Sequence, residues 1–320
     1  MARPARLELL ERRLLFVTGK GGVGKTSIAA ALGLLAAQRG QQTLIVEIDA
    51  KGSLREVFES AALSFTPAPL APNLFGMVMN TEESLKEYLR LQMHIPFLGR
   101  IGPLAKSLDF VATAAPGVRE ILTVGKIAWE VRERHYDLVV VDASATGHVI
   151  GQLAAPEAIN DLVKVGRVRD QTRWMLDLLS DPLITGAVVV ATPEEMPVTE
   201  TLELVDRLEA ETQVPLASVV VNKVLPELFG RGEQEVFDHL RTPAQAARLA
   251  AAVDGPVEPL LDGAQLAVTL RRTRAEHITR LRNELPEDLP LLYVPYLFTR
   301  THGLRATHTI AEALGAELGF

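Results

Sequence analysis

The stretch at residues 19–27, GKGGVGKTS, constrains the fold of this chain more than any other part of the sequence. It fits the phosphate-loop pattern G-x-x-x-x-G-K-S/T at each defining position. Residues 14–17 before it are apolar, and residues 28–38 after it are rich in alanine and leucine. The first run predicts a buried strand and the second a helix. Strand, glycine-rich turn and helix in this order predict a loop that binds the phosphates of a nucleotide.

The chemistry of phosphate binding explains the residue types of this loop. Glycines let backbone N–H groups converge on phosphate oxygens, and the start of the following helix adds the positive end of its dipole. Lys25 is expected to reach the β- and γ-phosphates, and the Thr26 hydroxyl to bind Mg²⁺. A glycine-rich turn with a purely structural role is the alternative. The predicted nucleotide contacts come from Gly19, Gly21, Gly22, Val23, Gly24, Lys25, Thr26 and Ser27.

Composition narrows the class of protein. A chain of 320 residues, 48% of them hydrophobic, can bury a large core. The net charge of −7 gives no reason to expect nucleic-acid binding. Cysteine is absent, so we expect no disulfide, no thiolate zinc site and no cysteine-ligated iron–sulfur cluster. Neither a signal peptide nor a membrane span is apparent, which predicts a cytoplasmic protein.

Apolar, β-rich runs alternate with helical patterns along the chain. Several runs are continuously apolar, such as LVVV at 138–141, which is typical of parallel strands covered by helices on both faces. The predicted fold is a doubly wound α/β, mostly parallel sheet of the phosphate-loop NTPase type. The predicted strands span residues 14–18, 43–48, 74–79, 137–141, 186–191, 216–221 and 291–297.

A helical insertion is expected within this single domain of residues 1–320. Residues 81–135 lack a strand signal and predict an inserted helical subdomain with helices near 82–93, 104–113 and 117–134, and further helices are expected at about 156–180. Residues 66–72 read as a loop. Residues 262–285 predict one long amphipathic helix with Leu270, Ile278, Leu281 and Leu285 on one face.

Two aspartates complete the predicted site. Asp142 directly follows the strand at 137–141, where phosphate-loop NTPases place the carboxylate of the Mg²⁺ site, although it could instead cap the next turn. Asp49 ends the strand after the phosphate-loop helix, where a carboxylate near the γ-phosphate can orient or deprotonate the attacking water. Glu47, two residues deeper on the same strand face, is the competing candidate.

The motifs together resemble a known family. GKGGVGKT with Lys20 resembles the loop of the signature-lysine ATPases: ArsA, the tail-anchored-protein targeting ATPase, MinD, ParA and the nitrogenase iron protein, of which the lack of cysteine excludes the last. DASATGH at 142–148 is similar to the second switch of the ArsA family, DTAPTGH, and keeps Asp142, Thr146, Gly147 and His148. The resemblance runs over residues 12–320 and is weakest at 225–290.

The resemblance implies a Mg²⁺-dependent ATPase that closes ATP between two subunits. Lys20 of one subunit would reach the phosphates bound by the other and act with Lys25 and Asp49 in catalysis. A solvent-facing loop lysine is the alternative for Lys20. Asn222 and Pro295 fall where the family contacts adenine. The implied partner is a second copy of the chain or a related ATPase subunit. The resemblance also implies a client that the ATPase transports or targets, and a membrane protein is one option for this client.

Departures from the family pattern limit these expectations. In the first switch, Asp49 is followed by Ala-Lys-Gly-Ser where the family has a DPAH-like run, and Ala143, Ser144 and Ala145 depart from the second switch. The zinc-binding CxxC of the targeting ATPase and the arsenite-binding cysteines of ArsA are missing, so we do not expect an arsenite pump subunit. A low-turnover nucleotide-dependent binding switch and a MinD- or ParA-like positioning ATPase are the alternatives.

Overall fold

The computed structural model describes residues 9–49, 52–93, 117–162, 167–299 and 303–320. Its sheet has eight strands in the order β3-β4-β2-β5-β1-β6-β7-β8, and neighbouring strands run parallel except for the antiparallel β3–β4 pair. The doubly wound, mostly parallel fold predicted from the apolar runs is confirmed. The strands are β1 (Leu14–Gly19), β2 (Thr43–Glu47), β3 (Ala68–Ala71), β4 (Leu74–Val78), β5 (Leu138–Ala145), β6 (Thr185–Ala191), β7 (Leu216–Val224) and β8 (Leu291–Pro295).

Helices cover both faces of this sheet. Within the described residues they are α1 (Lys25–Gln38), α2 (Ser53–Phe58), α3 (Thr81–Met93), α4 (Val118–Arg132), α5 (Thr146–Leu162), α6 (Arg167–Ser180), α7 (Glu195–Glu211), α8 (Arg231–Leu240), α9 (Pro243–Val253), α10 (Glu258–Glu284) and α11 (Leu304–Leu318). The helix predicted at 104–113 lies outside the described residues. No described helix has the length and hydropathy needed to cross a membrane.

The central strand β1 shows why the runs are continuously apolar. Leu14 and Phe16 pack into the core on one face of the sheet, whereas Leu15 and Val17 pack into the core on the other. Successive side chains of a strand point to opposite faces, so a strand covered on both sides needs apolar residues at every position. The phosphate loop therefore leaves from the most deeply buried part of the sheet.

Helix α1 lies close against the sheet because small residues face it. A methyl group added at Gly33 would lie 2.7 Å from Ile45 Cδ1 of β2. Such a contact is shorter than van der Waals packing allows, so a larger residue here would require the Ile45 side chain to move. The helix that follows the phosphate loop is consequently fixed in position relative to β2 and its carboxyl end.

A helical layer formed by α3, α4, α5 and α6 covers the opposite face. The further helices expected at about 156–180 correspond to α5 and α6, but α5 already begins at Thr146 and carries Pro156 in its interior. Proline lacks the N–H for an interior helical hydrogen bond, so the sequence does not indicate that a helix continues through Pro156. These four helices enclose a mostly apolar cavity of about 250 Å³, lined in part by Ile121, Trp129 and Trp174.

Both outer edges of the sheet are blunted. Residues 66–72, predicted to form a loop, contain the short strand β3, which alanine and proline do not signal because both have low strand propensity. Pro69 lies in this edge strand and contributes no N–H. At the other edge, the Tyr293 N–H of β8 donates to Glu317 Oε2 of α11 at 3.1 Å.

Helices α8–α10 lie between β7 and β8 in the chain and form a peripheral group, which we call the α8–α10 module. Its small core comprises Phe237, Val257 and Leu261. Leu281 is buried, but Leu270 is exposed. Helical periodicity identifies one apolar face without showing how far along that face a neighbouring element extends.

Candidate nucleotide-binding site

The predicted site residues meet at the carboxyl edge of the sheet. Lys20, Asp49 and Asn222 lie at or just beyond the carboxyl ends of β1, β2 and β7, and Asp142 lies within β5. Pro295 ends β8 and pairs in register with Val224. Carboxyl ends of parallel strands form the crevice in which doubly wound folds bind ligands. The topology therefore brings residues from distant parts of the chain to one surface.

The phosphate loop has a backbone that only glycine adopts without strain. Gly19, Gly22 and Gly24 have φ angles of 145°, 87° and 99°. A methyl group at Gly19 would collide with the Val190 carbonyl oxygen, and one at Gly24 with the Asn222 side chain. Positive φ and close approach thus both require glycine at the two ends of the loop. Gly21, by contrast, has open space where a Cβ would lie.

The two lysines of the loop lie in different surroundings. Lys25 Nζ donates to the Lys20 carbonyl oxygen at 3.2 Å, so its ammonium group lies against the loop itself. Lys20 Nζ forms an ion pair with Glu200 Oε1 of α7 at 2.5 Å. The Lys25 ammonium group therefore contacts its own loop, whereas the Lys20 ammonium group contacts an acidic residue of α7.

Thr26 and Asp142 are in direct contact. Thr26 Oγ1 donates to Asp142 Oδ2 at 2.6 Å. Burial raises the pKa of Asp142 to about 6, although the Thr26 hydrogen bond and the Lys25 charge act in the opposite direction. The negative charges of Glu47 and Asp49 raise this pKa further. The Asp142 carboxyl group therefore loses its proton less readily than an ordinary aspartate, and a bound cation would stabilise its ionised form.

Glu47 is the buried acid that sequence reasoning considered only as a rival to Asp49. It is 2% exposed and lies in register with Asp142 on the neighbouring strand. Its Oε1 accepts a hydrogen bond from the Ser53 backbone N–H at 2.9 Å. Its Oε2 is buried and has no hydrogen-bond partner among the described residues. No sequence pattern indicates such a vacant acceptor, because its neighbours come from different segments.

These groups fit a magnesium ion. A hydroxyl oxygen and carboxylate oxygens are the ligands that Mg²⁺ prefers, and it is commonly held by one or two carboxylates together with substrate phosphates and waters. In the described ranges, no group of three or more His, Asp or Glu residues could hold a metal by itself. Thr26 and Asp142 would hold the ion, and nucleotide oxygens would complete its shell.

Asn222 links β7 to the phosphate loop. Its Nδ2 donates to the Val23 carbonyl oxygen at 2.8 Å, and its Oδ1 accepts from the Lys223 N–H at 2.9 Å. Lys223 Nζ also reaches the Gly22 carbonyl oxygen at 3.2 Å, a contact that sequence reasoning did not anticipate. The predicted adenine contact of Asn222 is thus accompanied by a structural role that fixes the loop.

Two switch residues, Asp49 and His148, are exposed. Asp49 lies two residues beyond the end of β2. His148, the last residue of the second-switch motif, lies in the first turn of α5. The first-switch residues Ala50 and Lys51 lie outside the described residues.

Comparison with known proteins identifies the family to which this chain belongs. A model of the family described as anion-transporting ATPase matches residues 12–178 and 162–248. ATPase BagA of Mycobacterium tuberculosis is 33% identical over 314 residues, which cover 92% of this chain and 88% of that protein. An ATPase ASNA1 homolog of Entamoeba dispar is 26% identical over 66% of this chain and 76% of that protein. An arsenical pump-driving ATPase of Acidiphilium multivorum is 27% identical over 67% of this chain and 40% of that protein. The chain therefore belongs to the anion-transporting ATPase family, ArsA, which confirms the resemblance of its motifs and identifies an ATP-hydrolysing enzyme.

Proposed function

We propose that this ATPase is Mg²⁺-dependent, closes ATP between two subunits, and couples hydrolysis to the transport or targeting of a client. The observation that supports the Mg²⁺ dependence is the 2.6 Å hydrogen bond that Thr26, the residue after Lys25, donates to Asp142. It joins the start of the phosphate-loop helix to a buried carboxylate, which is the arrangement of a metal-assisted phosphoryl-transfer site.

The residues divide the chemistry among them. Backbone N–H groups of the loop and the Lys25 ammonium bind the β- and γ-phosphates and orient them. Thr26 and Asp142 hold Mg²⁺, which when bound neutralises charge on the phosphate oxygens. Asp49, exposed beside this edge, orients the attacking water and accepts its proton.

Lys20 supplies the contribution of the second subunit in this proposal. Its ion pair with Glu200 is partly exposed, with 30% of the lysine side chain accessible. Exposed ion pairs are weak, so the phosphates of a partner's nucleotide can compete with Glu200 for this ammonium. Glu200 thus binds Lys20 until a closed dimer of identical or related subunits forms, and Lys20 then binds the phosphates of the partner's nucleotide.

The hydrolytic mechanism is tested by replacing Lys25 with alanine. Phosphate release from ATP should fall by at least about a hundredfold, because removing one preorganised charge from a transition state has effects of this size. The matched control is Lys86→Ala, which removes an exposed lysine of α3 that pairs with Glu82 and Glu83. Undiminished turnover in the Lys25 variant would refute the mechanism.

The two-subunit site is tested by sizing the protein with ADP and then with a transition-state mimic of ATP hydrolysis. A monomer or open dimer with ADP should become a compact dimer with the mimic, and Lys20→Ala should prevent the change while leaving ADP binding intact. A wild-type protein that hydrolyses ATP without any change in size or shape would contradict the proposed sandwich.

A low-turnover switch is the second candidate, and the altered first switch after Asp49 favours it. In that case ATP would bind tightly in the presence of Mg²⁺ and turn over negligibly, with or without a second subunit. Single-turnover and steady-state phosphate release measured on the same preparation separate the two candidates.

A further inference from the structure

The vacant oxygen of Glu47 lies on the same side of the sheet as the proposed metal site. Glu47 and Asp142 are opposite each other in the β2–β5 register, and directly paired residues of adjacent strands point to the same face. The preceding alternate residues, Ile45 and Val140, both pack into the core on the α1 side. Both carboxylates therefore face α1, the helix that carries Thr26.

Burial makes this vacancy costly. A buried carboxylate oxygen that loses water without gaining a donor or a cation is strongly disfavoured. Glu47 Oε2 meets that condition among the described residues, and its nearest acidic neighbour in the register is another buried carboxylate. Two like charges this close repel each other, which favours a divalent cation or its bound water between them.

We propose that Glu47 is a third protein group of the Mg²⁺ site, and that its Oε2 accepts a hydrogen bond from a water of the metal's coordination shell. This inference rests on the proposed Mg²⁺-dependent function and names a residue of the same site. Its other oxygen anchors Ser53 at the start of α2, so one side chain links the metal shell to the segment after Asp49. Glu47 is thus a positioning residue for the metal.

The test measures the affinity for fluorescent ADP by fluorescence anisotropy, in excess Mg²⁺ and in EDTA. Glu47→Gln keeps an oxygen that can accept from the Ser53 N–H but puts an amide with no negative charge at the metal side. We expect the tightening of ADP binding by Mg²⁺ to fall by about tenfold or more, as for other outer-shell ligands, with the affinity in EDTA unchanged. The control Glu56→Gln makes the same charge change on the exposed face of α2 and should retain the full tightening.

The outcomes separate this inference from the function on which it rests. If Mg²⁺ does not tighten ADP binding to the wild-type protein, the proposed Mg²⁺-dependent function fails. If the wild-type protein shows tightening and Glu47→Gln retains all of it, only the role of Glu47 is overturned. Equal weakening in Mg²⁺ and in EDTA also overturns it, since Glu47 would then support the loop alone. Thermal unfolding of each variant checks that the fold is intact.

Discussion

The carboxyl edge around the phosphate loop and the α8–α10 module are built in opposite ways. At the edge, strands enter fully buried, glycines adopt positive φ, and Asn222 and Lys223 of β7 bond to the loop backbone. In the module, α9 has no buried residue and the core has three buried members. Contacts from several elements thus fix the backbone of a site that must hold phosphates. A peripheral helix, in contrast, is held in place by one small apolar contact surface.

Among the tests of this comparison, the largest effect is expected at Gly19. Replacing Gly19 with alanine pushes a methyl group into the Val190 carbonyl at a φ of 145°, whereas Gly21→Ala adds the same methyl group in open space. The first change should lower the free energy of unfolding by at least about 2 kcal/mol, from overpacking and backbone strain together, and the second by far less. Urea denaturation without nucleotide measures both. Equal stabilities would show that the loop is more adaptable than its geometry indicates.

The second test concerns Asp142, which should make the stability of the fold depend on pH. Because burial raises its pKa to about 6 from an ordinary 3.8, the folded state binds the proton more tightly than the unfolded state. Ionisation therefore costs stability as pH rises from about 4 to 6, and the cost is constant above that range. Without metal, Asp142→Asn should be more stable than wild type at pH 7 by on the order of 2 to 3 kcal/mol, and this advantage should vanish near pH 4.

Urea titrations in EDTA between pH 4 and 7.5 measure that difference. The same variant should lose most of the Mg²⁺-dependent tightening of ADP binding, since its amide carries no charge for the metal. A constant stability difference across the whole pH range would mean that the Asp142 carboxyl group titrates alike in the folded and unfolded states.

Two adjacent leucines test the module. Leu261 is 8% exposed and belongs to the small core, whereas Leu260 is 72% exposed. Leu261→Ala should destabilise the module by about 2 kcal/mol, and Leu260→Ala by less than about 0.5 kcal/mol. Hydrogen exchange of α8–α10 would detect the local loosening, while ADP affinity should stay at the wild-type value in both variants. Loss of ADP affinity in Leu261→Ala would show that the module supports the site.

The smallest effect is expected at Glu200, which holds Lys20. Glu200→Gln should raise steady-state phosphate release by about two- to threefold, because the partly exposed ion pair no longer competes with the partner's phosphates. Glu203→Gln, exposed on the same helix, is the control and should leave the rate unchanged. Phosphate release measured over a range of protein concentrations would place the gain at dimer formation. A slower Glu200 variant would mean that Glu200 positions Lys20 for catalysis.

Sequence reasoning succeeded where local chemistry determines structure. The phosphate loop was predictable because its glycines and Lys25 serve backbone and phosphate geometry over a few residues. The strands were predictable because a sheet covered on both faces requires continuous apolar runs. The position of Asp142 near the carboxyl edge of the sheet was predictable from its place after such a run, whereas its role as a Mg²⁺ ligand stays a prediction.

The failures depend on contacts between distant segments. The strand β3 exists because the edge of β4 accepts it, despite the weak propensities of its residues. The exposure of Leu270 depends on where the neighbouring helix ends, and the vacancy at Glu47 Oε2 depends on what surrounds it in three dimensions. Neither property is encoded in the spacing of residues along the chain.

The blunted edges of the sheet have a consequence for how copies of this chain can associate. Pro69 removes a donor from the outermost strand on one side, and Glu317 already takes the Tyr293 N–H on the other. Adding a strand from another molecule would require pairing beside a proline or displacing a carboxylate. Both edges thus resist the addition of strands from other copies, which is the route to fibre-like growth of the sheet.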